Sequence, residues 1–81
     1  MRRAARSAAL ADATPGIRDL TPAERNILRL VAAEKTTRQI ADQLHISVRT
    51  VDRHRSNICD KLDLHGPNAL IRFALAHKSE L

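Results

Sequence analysis

The sequence has few aromatic residues, glycines and cysteines. It contains one Phe and no Trp or Tyr, so its hydrophobic core has to be built from Leu, Ile, Val and Ala. A single Cys excludes an intrachain disulfide, which fits a reducing compartment. Two glycines leave no glycine-rich phosphate-binding loop, and no apolar run reaches the roughly 18 residues of a membrane span. At 81 residues the chain makes one domain at most.

The chain contains more basic than acidic residues. Lys and Arg total 14 against 9 for Asp and Glu, which gives a formal net charge of +5. A basic balance of this size favours an anionic partner, most commonly nucleic acid. This balance makes nucleic acid a candidate partner of the chain.

The first residues differ in composition from the rest of the chain. Three arginines near the N-terminus precede small residues, but the apolar run at residues 8–11 is too short for a signal peptide. We expect residues 1–19 to form a flexible basic arm or linker and residues 20–81 to form the domain. The alternative is an arm that contacts DNA phosphates.

Four helices are predicted from caps and apolar spacing. Thr21 to Glu24 and Thr36 to Gln39 are capping boxes, which predict helices over 22–34 and 37–44. Ser47 caps a third helix over 48–62, and a fourth follows Gly66 with a proline in its first position. Strand-like alternation is absent, so the fold class is all-α, with four helices and no strands that could form a wing.

The third predicted helix has one apolar and one polar face. At about 100° per residue, Val51, Ile58 and Leu62 share one stripe with His54. The opposite face is polar, and it contains Arg49, Arg53, Ser56 and Asp60, flanked by Asp52 and Asn57. A short capped helix, a tight turn and a longer helix with a basic outer face are typical of a helix-turn-helix.

A longer stretch of the sequence contains a pattern of residues that is found in a known protein family. The stretch LTPAERNILRLVAAEKTTRQIADQLHISVRTVDRHRSNICDKLDL holds matched positions at Leu20-Thr21, Glu24, Ile40-Ala41, Leu44, Ile46-Ser47, Thr50-Val51, His54, Asn57-Ile58 and Lys61-Leu62. It resembles the DNA-binding domain of the LuxR/FixJ/NarL family of bacterial transcription regulators over about residues 20–78.

The resemblance implies that the third helix enters the major groove and that Asp52, Arg53 and Ser56 meet DNA. The predicted DNA-binding residues are Arg38, Ser47, Arg49, Thr50, Asp52, Arg53, Arg55, Ser56, Asn57 and Lys61. Of these, we expect base contacts from Arg49, Asp52, Arg53 and Ser56, and phosphate contacts from Arg38, Arg53, Arg55 and Lys61.

Two departures from the family pattern lead to further expectations. Glu34 replaces a common glycine, which makes a left-handed residue at the helix end less favourable, so helix 1 is expected to run on or to end differently. Asp52 replaces a common basic residue, and it is expected to pair with Arg49 or Arg55, or to accept from a cytosine amino group.

The fourth predicted helix is apolar on two sides. Leu70 and Phe73 share a stripe expected to face the core, whereas Ile71, Leu75 and Lys78 form a second stripe. We expect these last three residues to form a homodimer interface, since the last helix of such domains often mediates dimerisation. The alternative is that the N-terminal arm covers the second stripe.

No catalytic or metal site is expected. The four histidines are widely spaced beside one Cys, so we predict no metal, no cofactor and no enzyme activity. His54 is expected to be a hydrogen-bonded core residue, and Cys59 a small helix residue.

The predicted function is sequence-specific binding of double-stranded DNA by a transcription regulator, as a dimer on two half-sites. The resemblance allows RNA polymerase as a further partner, together with a receiver or ligand-binding domain absent from these 81 residues. A sigma-factor region 4 module and a protein-interaction module that uses the same fold are the alternatives.

Overall fold

The computed structural model describes residues 16–81, which fold into α-helices and short 3₁₀ turns with no strand in that range. The α-helices are α1 (Pro22–Ala32), α2 (Thr37–Leu44), α3 (Val48–Leu62) and α4 (Ala69–Ala76), and 3₁₀ turns occupy Ile17–Asp19 and Lys78–Glu80. The predicted all-α class is thus confirmed. None of the helices in the described range has the length and apolar character needed to cross a membrane.

Side-chain caps begin the first three helices at the predicted residues. The Thr21 hydroxyl accepts from the Glu24 amide at 3.1 Å, and the Glu24 carboxylate accepts from the Thr21 amide at 2.9 Å. Thr36 and Gln39 form the same reciprocal pair at the start of α2. Each pair satisfies two amides that a helix start leaves without an intrahelical acceptor.

The same three helices end in left-handed residues that are not glycine. Glu34, His45 and Asp63 have φ values of 64°, 59° and 56°. After α1, the Glu34 amide donates to the Val31 carbonyl at 2.9 Å and the Lys35 amide donates to the Leu30 carbonyl at 3.0 Å. These two bonds define a Schellman motif, and corresponding pairs end α2 and α3.

The expectation for the end of α1 was therefore wrong. Ala32 is its last residue, two residues before the predicted boundary, and Glu34 adopts the left-handed conformation in place of glycine. The motif satisfies two carbonyls at the helix end, which offsets the steric cost of a Cβ atom in this conformation.

The start of α4 also differs from the prediction. Asn68 is left-handed, with φ 62°, so Pro67 lies before the helix and Ala69 is the first helical residue. Asn tolerates this conformation better than most residues because its side chain is short and polar. The Gly66–Asn68 stretch is a turn, and the helix begins only after it.

Helix α1 lies between α3 and α4, and α2 packs against α3. The core cluster contains no aromatic side chain among its buried members, which are Leu20, Ile27, Leu28, Val31, Ala32, Ile40, Ala41, Val51, Ile58, Leu70 and Ala74. Since α3 gives its apolar stripe to α1 and α2, its opposite face remains at the surface.

Residues just before α1 pack against the domain. The Ile17 side chain is buried, and its carbonyl accepts from the Arg25 guanidinium at 3.1 Å. Gly16 has φ 98° and lies so close to α3 that a Cβ atom there would stand 2.7 Å from the Leu62 side chain and 2.9 Å from the Lys61 carbonyl.

This packing moves the expected boundary at residue 20 toward the N-terminus, because residues 17–19 belong to the folded part rather than to an arm. The rest of the predicted arm, residues 1–15, lies outside the described residues.

Candidate nucleic-acid interface

Helices α2 and α3 form a helix-turn-helix. Ile40 and Ala41 of α2 and Val51 and Ile58 of α3 are buried between the helices and α1. The left-handed His45 ends α2 and lets Ser47 cap α3 only two residues later. Because this connection is short, it restricts the orientation of α3 relative to α2. It therefore also restricts the direction in which the outer face of α3 points.

The outer face of α3 is polar and exposed, as predicted. It consists of Arg49, Asp52, Arg53, Ser56, Asn57 and Asp60. Within residues 16–81, none of these side chains has a hydrogen-bond or ion-pair partner. Their polar atoms are consequently available to a ligand.

Asp52 forms neither of the intrahelical ion pairs expected for it. In the described part of the chain, Lys61 forms an ion pair with Glu24, while the imidazole rings of His65 and His77 lie within hydrogen-bond distance of the Asp63 and Glu80 carboxylates. The expectation that Asp52 orients Arg49 or Arg55 is therefore not met in the free domain. The cost of restraining two exposed side chains can exceed the small gain of such a pair.

The other predicted DNA contacts lie around this face. Arg38 is exposed in the first turn of α2, and Arg55 is half-buried beside Cys59. The Ser47 hydroxyl accepts from the Thr50 amide at 3.0 Å and lies 2.9 Å from the Thr50 hydroxyl. Ser47 and Thr50 thus already stabilise the start of α3.

Lys61 has a partner inside the domain. Its ammonium group lies 2.7 Å from the Glu24 carboxylate and donates to the Asp19 carbonyl at 3.1 Å. Among the residues predicted to contact phosphate, Lys61 forms an internal ion pair. The side chains of Arg38 and Arg53 have no such partner in residues 16–81.

Glu24 is the buried partner in that ion pair. Burial alone would raise its pKa, but the hydrogen bond from Lys61, the bonds from Thr21 and the lysine charge together hold the pKa of Glu24 below its ordinary value of 4.5. Glu24 is therefore ionised at neutral pH, and it fixes the C-terminal half of α3 against the start of α1.

Sequence reasoning missed this ion pair. It found Glu24 only as the third residue of a capping box, and the two partners are 37 residues apart. No local pattern reports a contact at that separation. Lys61 is the penultimate residue of α3, and its partner becomes evident only once the packing of α1 on α3 is known.

His54 does not have the hydrogen bond expected of it. The side chain is half-buried, and its Nδ1 atom is buried without a hydrogen-bond partner in residues 16–81. No other residue of this range therefore fixes the orientation of α3 through a hydrogen bond to His54 Nδ1.

Cys59 is half-buried on α3. Burial raises the pKa of its thiol above the ordinary value, an effect that the charge of Arg55 only partly opposes. The thiol is thus protonated at neutral pH and is a poor nucleophile. Across residues 16–81, no three His, Cys, Asp or Glu side chains form a group that could hold a metal ion.

The three residues predicted to form a dimer interface differ in their exposure and in the element to which they belong. Leu75 is 44% exposed, but Ile71 is half-buried and packs against the core cluster. Lys78 lies in the 3₁₀ turn after α4 rather than in the helix. The second stripe of α4 therefore presents a smaller apolar patch than the sequence suggested.

Comparison with known proteins adds family evidence to this geometry. Residues 18–74 match the luxR family of bacterial regulatory proteins. The chain is 48% identical over 56 residues to the uncharacterized response regulatory protein YgeK of Escherichia coli, a match that covers 69% of this chain and 38% of YgeK.

Two further relatives show the same partial coverage. The transcriptional regulatory protein MctR of Rhizobium johnstonii is 43% identical over 72% of this chain and 27% of its own length. The oxygen regulatory protein NreC of Staphylococcus carnosus is 38% identical over 75% of this chain and 28% of its own length. The chain thus spans less than two fifths of each of these relatives. No solved structure gives a significant match.

The family match covers α1 to α3 and most of α4, including the whole helix-turn-helix and the exposed face of α3. The family is one of transcription regulators and is not a class of enzymes. The chain belongs to the luxR family of bacterial regulatory proteins, as a DNA-binding helix-turn-helix domain of a transcription regulator.

Proposed function

We propose that this domain binds double-stranded DNA of a particular sequence by placing α3 in the major groove. The observation that carries the proposal is the exposed outer face of α3, whose polar side chains have no partner within residues 16–81. With 15 residues, α3 is about 22 Å long and matches a helix that lies in the groove.

The side chains divide into two roles by position and chemistry. Arg49, Arg53 and Ser56 project from the middle of the exposed face, where guanidinium and hydroxyl groups can reach base edges. Asp52 beside them can accept from a cytosine amino group. Base selection is assigned to these four residues.

Phosphate contacts are assigned to cations at the margins of the face. Arg38 lies in the first turn of α2, where backbone amides also point toward an anion, and Arg55 lies on the flank of α3. Ser47, Thr50 and Asn57 are further contacts. Lys61 would contact phosphate in addition to its ion pair with Glu24, since its side chain is 34% exposed.

We further propose that two copies bind together through α4. Leu75 is the exposed apolar residue of this helix, with Ile71 and Lys78 at its margins. A two-fold pairing of α4 would place two copies of α3 in successive major grooves about 34 Å apart, so the operator would consist of two half-sites.

The names of the relatives suggest the kind of protein in which this domain acts. YgeK is named a response regulatory protein and MctR a transcriptional regulatory protein. We propose that the domain acts in the cytoplasm, on the nucleoid, as the output part of a regulator that also has a receiver or ligand-binding domain, with RNA polymerase as a further partner.

Binding to duplex DNA at several salt concentrations tests the proposal. The chain is first used to select bound duplexes from a random library, and the selected and a scrambled duplex are then titrated. We expect tighter binding to the selected duplex and affinity that falls steeply with salt, because bound cations release counterions from phosphates. No salt-dependent binding to either duplex would refute the proposal and favour a protein-interaction module.

A further inference from the structure

An aliphatic side chain is exposed at the start of α3. Val48 is the first residue of the helix, and 44% of its surface is accessible. Within residues 16–81, Leu75 is the other large hydrophobic residue that is exposed to this degree. Val48 belongs to no core cluster and was not among the residues that the sequence pattern assigned to DNA.

The start of α3 does not require Val48. The Ser47 hydroxyl caps the helix by accepting from the Thr50 amide. Ile46 and Val51 occupy the two positions of a hydrophobic staple, and both pack in or against the core cluster. Capping and stapling are thus complete without Val48, and valine is a weaker helix former than many alternatives.

Val48 lies beside residues assigned to base contacts. It precedes Arg49 directly and lies one turn before Asp52, and all three are exposed. At 100° per residue, Val48 and Asp52 are separated by only about 40° around the helix. The N-terminal residues of a recognition helix contact base edges in the helix-turn-helix geometry, so Val48 enters the groove together with its neighbours.

We propose that Val48 determines specificity by contacting the C5-methyl group of a thymine; this rests on the proposed binding of α3 in the major groove. That methyl group is the apolar feature among the donors and acceptors of the major groove. A cytosine at the same position would present only a C–H in place of the methyl group, and an amino donor in place of the O4 acceptor, so the valine would lose its apolar contact.

Replacing single thymines by deoxyuridine tests this assignment, because deoxyuridine lacks only the methyl group. In the selected duplex, one such replacement should weaken binding about fourfold, as expected for one methyl group removed from an apolar contact. The same replacement should change the affinity of Val48→Ala by less than about 1.5-fold, since the smaller side chain no longer reaches the methyl group.

Lys35→Ala is the control, since Lys35 is exposed and lies outside both the residues assigned to DNA and the proposed pairing surface of α4. It should keep the fourfold sensitivity to deoxyuridine, and circular dichroism should show native helicity for both variants. A selected duplex whose thymines all tolerate deoxyuridine would refute the role of Val48 and leave DNA binding intact. Equal sensitivity in Val48→Ala and the wild-type domain would also refute it. A chain that selects no duplex would refute the proposed function as well.

Discussion

Replacement of Lys61 by methionine should destabilise the domain by leaving a buried carboxylate without its cation. Methionine keeps much of the aliphatic length of lysine but cannot donate. The Glu24 side chain is only 5% exposed, and it would retain the Thr21 amide as its donor. A hydrogen bond to a charged group contributes about 1.5–3 kcal/mol to stability. Because the Lys61 side chain is 34% exposed, we expect a value near the lower end, about 2 kcal/mol.

A loss of this size is large for a small domain. It corresponds to a fall in the melting temperature of roughly 8–16 °C. Urea unfolding followed by circular dichroism measures the free energy directly, and Lys35→Met provides the control, since Lys35 is exposed and its side chain has no partner within residues 16–81. The double variant Glu24→Gln with Lys61→Met should be more stable than Lys61→Met alone, because it buries no charge.

The effect should also depend on pH in a defined direction. Folding lowers the pKa of Glu24, so the stability from the ion pair is complete above the ordinary value of 4.5 and is lost as the pH falls through the folded-state pKa. The difference between the wild-type domain and Lys61→Met should therefore be full at neutral pH and shrink in acid. A difference that is the same at neutral and acidic pH, or equal losses in Lys61→Met and Lys35→Met, would refute the reasoning.

Four other substitutions test the interface and the fold. Arg53→Ala should weaken binding to the selected duplex by about 1–3 kcal/mol, and an equal loss on scrambled duplex would instead make Arg53 a phosphate contact. Asp52→Asn should raise affinity for scrambled duplex and change the preference at one base position in a repeated selection; narrower specificity would contradict this role. Leu75→Glu should leave half-site binding and helicity unchanged but abolish cooperative binding to two half-sites, and undiminished cooperativity would remove α4 from the interface. Glu34→Gly should stabilise the domain by about 0.5–1 kcal/mol in urea unfolding, since glycine has no Cβ atom to oppose the left-handed conformation; a loss of stability would show that the unfolded-state entropy of glycine dominates.

Local chemistry made much of the fold predictable. The bounds of α2 and α3 agree with the sequence prediction because a capping residue marks each start and an apolar stripe continues to each end. The exposed polar face of α3 follows from the same periodicity. These features depend on residues within a few positions of one another, which a single sequence displays.

The errors arose where the backbone conformation depends on more than the local pattern. Glu34 and Asn68 are left-handed, although the sequence prediction treated the first as a poor left-handed residue and continued the helix through the second. Contacts between distant segments were also missed, notably Lys61 with Glu24 and Ile17 with the core. The spacing of apolar residues indicates which face of a helix is buried. It does not indicate which residues of other segments pack against that face.

The contact of Gly16 with the end of α3 has a mechanical consequence. Its Cα lies so near the Lys61 carbonyl and the Leu62 side chain that no side chain fits between the two segments. Ile17 then anchors the same segment in the interior of the domain. The chain therefore enters the domain directly against the C-terminal end of α3, the helix whose outer face is exposed. A displacement of this end of α3 toward Gly16 would press on the backbone there, so the position of α3 and the path of the chain at residue 16 depend on each other.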